Sequence, residues 1–308
     1  MLALSSGLFS CTSAHHAGPE QPEAQREVQI PLVKRGDAYE AQLSSRQVPD
    51  GSLVVLNVDF ARPFKGKLTA EFDGKKFPVY RMQGTPKAPP RFEALFGVPH
   101  SHKPGPAELR IFASGLPASS MSFDVVEANY KSEVLKVEER KIKPHKKDMA
   151  RIIREVAEIN KAVGTETANR YWSGPFELPL QGAITDAFGT KRVYNGELKS
   201  YHGGIDFHAP MGTPIRSSGA GRVVLAKNLF FSGNTVMIDH GYGLITMYFH
   251  MSRIKVRKGQ KVRTHQLLGL SGATGRVTGP HLHWQCDIHH VKINPMDLID
   301  GSSAAELR

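Results

Sequence analysis

Gly279-Pro280-His281-Leu282-His283-Trp284 carries two imidazoles two residues apart. On a strand, side chains repeat every two residues, so His281 and His283 face the same way. Two imidazoles side by side on a half-buried surface suit a metal ion or proton transfer. Far upstream lies a second polar cluster, His202-Gly203-Gly204-Ile205-Asp206, and His250 stands between them in Tyr248-Phe249-His250. One aspartate and two histidines can give three ligands of a tetrahedral zinc, leaving a fourth position for water. Two histidines then remain for acid–base work.

Strands must hold these residues. From Phe176 onward the chain is rich in glycine and short of helical periodicity. Gly219–Ala226, Asn234–Asp239 and Leu244–Tyr248 each read as a strand. Val256–Val262, turning at Lys258-Gly259-Gln260, reads as a hairpin, and Gly269–Gly272 with His281–Ile288 completes an antiparallel sheet folding on itself.

Upstream, residues 27–128 show short strands separated by turn signals. Leu53-Val54-Val55-Leu56-Asn57-Val58 is a β-branched run, and Leu68, Ala70 and Phe72 alternate with polar residues. Asp73-Gly74 marks a tight hairpin into Phe77-Pro78-Val79-Tyr80. Further strands are expected at 91–98, 107–113 and 121–127. Strands at this spacing with no helix between them predict an Ig-like β-sandwich. Residues 129–173 read as a charged connector with one helix, N-capped by Asp148 and ended by Gly164. Met149, Ile152, Ile153, Val156 and Ile159 form a helical stripe expected to pack against a neighbouring domain. The expected fold is mostly β: sandwich, helical connector, and an antiparallel-sheet domain over 174–300, with a tail at 301–308.

At 308 residues the length favours about two domains. A hydrophobic content of 40% and a charged content of 22% describe a globular chain. The net charge of +11 favours anionic partners. Its Lys and Arg residues are scattered and no nucleic-acid-binding motif occurs, so no nucleic-acid partner is expected. Cys11 and Cys286 are the only cysteines, which excludes a disulfide framework; Cys286 reads as a small buried residue. Leu8-Phe9-Ser10-Cys11 resembles a bacterial lipobox, in which the cysteine is lipidated, although Phe9 is bulky and no basic residues precede the run. Residues 12–26 are Pro-rich and polar, a tether.

Phe188-Gly189 with Arg192, His202-Gly203-Gly204-Ile205-Asp206, Ala209-Pro210-Met211-Gly212-Thr213-Pro214-Ile215 and His240-Gly241-Tyr242-Gly243 occur in order. Tyr248-x-His250, Gly275–His283 and Asn294-Pro295 follow them. Over roughly 176–298 this series resembles the LytM/lysostaphin-type zinc metallopeptidases, peptidase family M23. The resemblance implies zinc ligands at His202, Asp206 and His283 and catalytic histidines at His250 and His281, with their general-base role open between them. Arg192, Tyr248 and His208 are candidates for substrate binding or for supporting the ligands. Packing is the competing reading of Tyr248, solvent exposure that of Arg192 and His208. His240 reads as supporting a turn; His265 and His289-His290 fall at turns and receive no function.

The same resemblance implies one Zn2+ ion and hydrolysis of peptidoglycan cross-links, with zinc-bound water as nucleophile and the D-Ala–meso-diaminopimelate bond as the expected target. A lipid anchor on Cys11 places the chain in the periplasm or envelope, as an outer-membrane lipoprotein. The alternative is a non-enzymatic or autoinhibited cell-wall protein that regulates an amidase. A regulatory protein partner and the oligomeric state are left open.

Overall fold

The computed structural model describes residues 32–82, 89–135, 145–194 and 197–299. Cys11, the lipobox-like stretch, the tether, residues 136–144 of the charged connector and the tail at 301–308 lie outside the described residues. No helix among the described residues is long and apolar enough to cross a membrane.

The N-terminal strands are β1 (Leu32–Arg35), β2 (Tyr39–Leu43), β3 (Gln47–Pro49), β4 (Leu53–Phe60) and β5 (Leu68–Phe72). They continue as β6 (Lys75–Pro78), β7 (Tyr80–Arg81), β8 (Arg91–Gly97), β9 (Gly105–Ala113) and β10 (Ser119–Val126). They form two five-stranded sheets, ordered β1-β2-β4-β8-β7 and β3-β10-β9-β5-β6, around one core. On β5 the alternation holds: Leu68, Ala70 and Phe72 point inward. The β5–β6 turn is the expected one, with Asp73 at φ 50° and Gly74 at φ 72°.

The continuous apolar run on β4 has a different cause. Val54, Leu56 and Val58 fill the sandwich core, while Leu53 and Val55, with Leu95 of β8, join the core of the C-terminal half. A strand buried on both faces has no reason to alternate. Gly97 belongs to this junction: a Cβ there would lie 2.7 Å from Ile293 and 2.9 Å from Ile288. Polar bonds cross it too. The Asn294 N–H donates to the Gly51 carbonyl, and the Leu53 N–H donates to Asp297 Oδ2, both at 2.8 Å.

After β11 (Ser132–Leu135) comes α1 (Met149–Val163), entered through a 3-10 turn at Lys146–Asp148. Two expectations change here. Asp148 makes no side-chain cap bond. The expected stripe also divides: Ile152 is buried and Ile159 packs on the sheet, but Met149, Ile153 and Val156 are 40%, 64% and 47% exposed. An apolar sector wider than the seat beneath it leaves one edge uncovered.

The C-terminal strands are β12 (Ile184–Asp186), β13 (Lys191–Tyr194), β14 (Glu197–Tyr201), β15 (Ile205–His208), β16 (Pro214–Arg216), β17 (Gly221–Leu229) and β18 (Gly233–Gly241). Then follow β19 (Leu244–Met251), β20 (Arg253–Ile254), β21 (Lys261–Val262), β22 (Leu267–Leu270), β23 (His281–Ile288) and β24 (Val291–Ile293). An antiparallel sheet runs β12-β15-β23-β19-β18-β17-β21, with β24 on β23. Val256–Val262 is not a hairpin: β21 pairs with β17. The Leu267–Leu270 strand joins β16 and β20 in a separate sheet rather than this one. β11 of the connector pairs in parallel with β13.

One face of the large sheet carries Leu282, Trp284, Cys286, Phe207 and Tyr248 into the main core. On the other face α1 packs over Leu225, Leu229, Met237, Ile245 and Met247. Met247 lies opposite Gln285 in the register, so α1 shares its face with the row His281, His283, Gln285.

Candidate metal centre

The strand register brings the candidate residues together. β15 pairs with β23 so that Asp206 lies opposite His283 and His208 opposite His281. His202 enters from the segment after β14. A Cβ on Gly204 would lie 2.5 Å from the Trp284 carbonyl and 2.8 Å from His283 Nε2, so only glycine lets this segment lie so close. His283 Nδ1 is 2.7 Å from Asp206 Oδ1, His202 Nε2 is 3.2 Å from the same oxygen, and the two nitrogens are 3.0 Å apart.

This triangle fits a tetrahedral metal ion. Ligand atoms about 2.1 Å from zinc stand roughly 3.4 Å apart, a few tenths of an ångström wider than found here. The tautomers also fit. His202 Nδ1–H donates to the Ala187 carbonyl at 2.9 Å, which leaves the Nε2 lone pair facing Asp206. On His283 the arrangement is reversed, with Nδ1 facing inward. Gln285 Nε2 donates to Asp287 Oδ2 at 2.9 Å, so its carbonyl oxygen is left for the His283 ring. His202, Asp206 and His283 thus form a group that could hold a metal ion. Electrostatics agree: burial opposes charge on Asp206, but His202 and His283 outweigh it and hold the carboxyl well below the usual range.

His250 and His281 flank the triangle, their rings 4.8 Å apart. His281 Nδ1–H donates to the Gly279 carbonyl at 2.9 Å, leaving Nε2 3.9 Å from Asp206 Oδ1. His250 Nδ1–H donates to the Thr274 carbonyl at 2.9 Å. Burial, helped by the neighbouring His281 and His283, pushes His250 down to about 4, so it is neutral at pH 7 with a lone pair on Nε2.

The other candidates separate. Tyr248 does not reach the site. It is wholly buried on the opposite sheet face, its hydroxyl 3.0 Å from Ser218 Oγ and Thr246 Oγ1. His240 extends that buried network rather than supporting a turn: Nε2 lies 2.7 Å from Thr246 Oγ1, and Nδ1 bonds the Ala220 carbonyl at 2.8 Å. Burial pushes this imidazole down to about 4. His208 is exposed, at the register position opposite His281. Arg192 donates through Nη2 to Asp186 Oδ2 at 2.6 Å. His289 and His290 form the β23–β24 turn, at φ 48° and 65°; His289 stacks on Phe77.

Sequence reasoning missed three neighbours of the triangle. Phe249 lies flat against the His283 ring, centroids 5.1 Å apart and planes 6° from parallel. Gln285 continues the alternation of His281 and His283, a signal that could have found it. Asp186, with an oxygen 3.3 Å from His202 Nδ1, gives no such spacing signal.

Known proteins resemble this chain in the same region. The model for peptidase family M23 matches residues 200–295. A solved structure described as a putative peptidase M23 from Pseudomonas aeruginosa is 31% identical, with a TM-score of 0.63, over 82% of this chain and 95% of that one. The likeness therefore extends well beyond 200–295. Peptidoglycan DD-endopeptidase ShyA of Vibrio cholerae is 50% identical over 107 residues, 35% of this chain and 24% of ShyA. DD-carboxypeptidase/endopeptidase Mpg of Neisseria meningitidis is 41% identical over 97 residues, 32% of this chain and 22% of Mpg. The matched stretch spans about a quarter of the length of these curated relatives.

Proposed function

This chain belongs to peptidase family M23, and from that premise we propose that it is a zinc-dependent endopeptidase cutting peptide cross-links of bacterial peptidoglycan. The observation that carries this reading is the His202, Asp206, His283 triangle with two further imidazoles at its rim. His202, Asp206 and His283 would hold the ion. Zinc, when bound, supplies Lewis acidity that polarises a scissile carbonyl and makes water nucleophilic near neutral pH.

The chain's own residues do the rest. Asp206 contributes the one negative charge of the donor set, so the centre keeps a net positive field for an oxyanion. His250 and His281 each have Nδ1–H tied to a backbone carbonyl, so each presents Nε2 to the reacting groups. Either can take the proton of the attacking water at Nε2 and pass it to the leaving amine. Phe249 limits rotation of the His283 ring by stacking on it.

The expected bond is D-Ala–meso-diaminopimelate, in keeping with relatives named DD-endopeptidases. Action on peptidoglycan puts the chain in the cell envelope; a lipid anchor at Cys11 and an outer-membrane location belong to the same proposal. Residues 174–300 would form the catalytic unit, 27–128 a sandwich domain with a positioning, partner-binding or structural role, and 129–173 the connector. The test is digestion of purified sacculi by the chain from residue 12 onward, with and without chelator, followed by mass spectrometry. Chelator-sensitive conversion of cross-linked dimers to monomers is expected. Bound zinc with no cleavage of any wall type would overturn the enzyme reading in favour of a regulator.

A further inference from the structure

We infer that Asp186, clamped by Arg192, is a positioning residue that aligns His202 for the metal from behind. The inference rests on the metal-centre reading above. β12 pairs with β15 so that Asp186 lies opposite Asp206, after an irregularity in the register between Ile184 and Asp186. The His202 ring, 4% exposed, therefore stands between two carboxylates. Its Nε2 lies 3.2 Å from Asp206 Oδ1 and its Nδ1 lies 3.3 Å from Asp186 Oδ2. The Nδ1–H donates to the Ala187 carbonyl at 2.9 Å, and Asp186 acts on the same edge of the ring through its charge, 3.3 Å away.

A carboxylate behind a ligating imidazole fixes its tautomer and ring plane and raises its basicity toward the ion. It can do so only if its own oxygen stays in place. Arg192 provides that constraint, donating from Nη2 to the same Oδ2 at 2.6 Å. Arg192 is itself seated on β13, where Glu133 of β11 is its register partner. The connector strand thus abuts the strand that holds the clamp. Of the two roles open to Arg192 from the sequence, substrate binding or support of the ligands, this inference assigns the second.

The test measures Zn2+ affinity of the full chain by competition with a chromophoric chelator, alongside the Co2+ absorption spectrum and the thermal melt of the metal-free protein. Wild type and H283A are the reference pair. If wild type binds no tighter than H283A, the metal-centre reading itself fails. If wild type binds and H283A does not, Asp186 can be judged: D186N should weaken Zn2+ binding roughly 10- to 100-fold and alter the Co2+ spectrum, with an unchanged metal-free melt. Affinity of D186N within twofold of wild type would overturn the inference while leaving the metal centre standing. Should D186N not fold, R192K decides. It keeps the charge but loses the planar fork, and is expected to weaken binding at least threefold; wild-type affinity in R192K would overturn the inference equally.

Discussion

Tyr248 and His250 stand two residues apart on one strand, yet they face opposite sides of the sheet. Regular alternation would send both into the core. His250 escapes because its backbone is left-handed, at φ 62°, which turns the ring toward His281. Such a conformation is costly for most side chains and tolerated best by glycine, asparagine and aspartate. H250N should therefore fold normally while losing about 10²–10⁴-fold in cleavage rate. H250V, β-branched, should in addition be less stable than H250N by about 1–3 kcal/mol. Denaturant melts and muropeptide release check the two effects separately; equal stability of the two variants would refute the strain argument.

Much of this was readable from sequence, because the ligand-type residues lie in motifs with local causes. His281 and His283 share a face by simple alternation, and Gly204 is a glycine because Trp284 and His283 leave no room for a Cβ. What could not be read depends on backbone and packing. The φ of His250 has no signature in Tyr248-Phe249-His250. The amphipathic α1 declares an apolar sector but not how much of it the sheet covers, and Ile153, part of that sector, is exposed. The double burial of β4 is visible as an unbroken apolar run, yet only the fold identifies its second partner.

Metal binding should register as stability. A ligand that binds only the folded state stabilises it by RT ln(1 + [L]/Kd), about 2.7 kcal/mol at a hundredfold excess over Kd. Zn2+ should raise the melting temperature of wild type, and chelator should reverse the gain. H202A and H283A should show no such response, because each removes one corner of the triangle. A Zn2+-dependent gain undiminished in both variants would place the ion elsewhere.

A buried ion pair at the junction of the two halves gives a pH dependence. Glu93 of β8, 1% exposed, lies 3.4 Å from Arg170 Nη1. Burial raises its pKa despite the guanidinium. A carboxyl whose folded pKa lies above its unfolded value keeps its proton longer when folded. Its contribution to stability is therefore greatest below the unfolded value and declines as pH rises through the folded one. E93Q should flatten that decline in urea melts between pH 4 and 8. R170A, which strands the carboxylate, should cost about 3–5 kcal/mol at neutral pH. An unchanged slope in E93Q would remove Glu93 as its source.

The shared core makes the two halves one folding unit. Leu53, Val55 and Leu95 from the sandwich lie in the same cluster as Trp172, Ile288 and Ile293. Truncating a buried leucine to alanine costs about 2–5 kcal/mol, so L95A should lower the melting temperature of the whole chain in a single transition, not of the sandwich alone. A fragment of residues 174–300 would lose Trp172 and uncover the apolar side of Ile288 and Ile293. It should melt lower than the full chain and self-associate, as size-exclusion chromatography and calorimetry would record. A monomeric fragment that melts at the full-length temperature would mean that the sandwich adds no stability to the C-terminal half. The buried junction would then serve to orient the sandwich rather than to hold the metal site's fold.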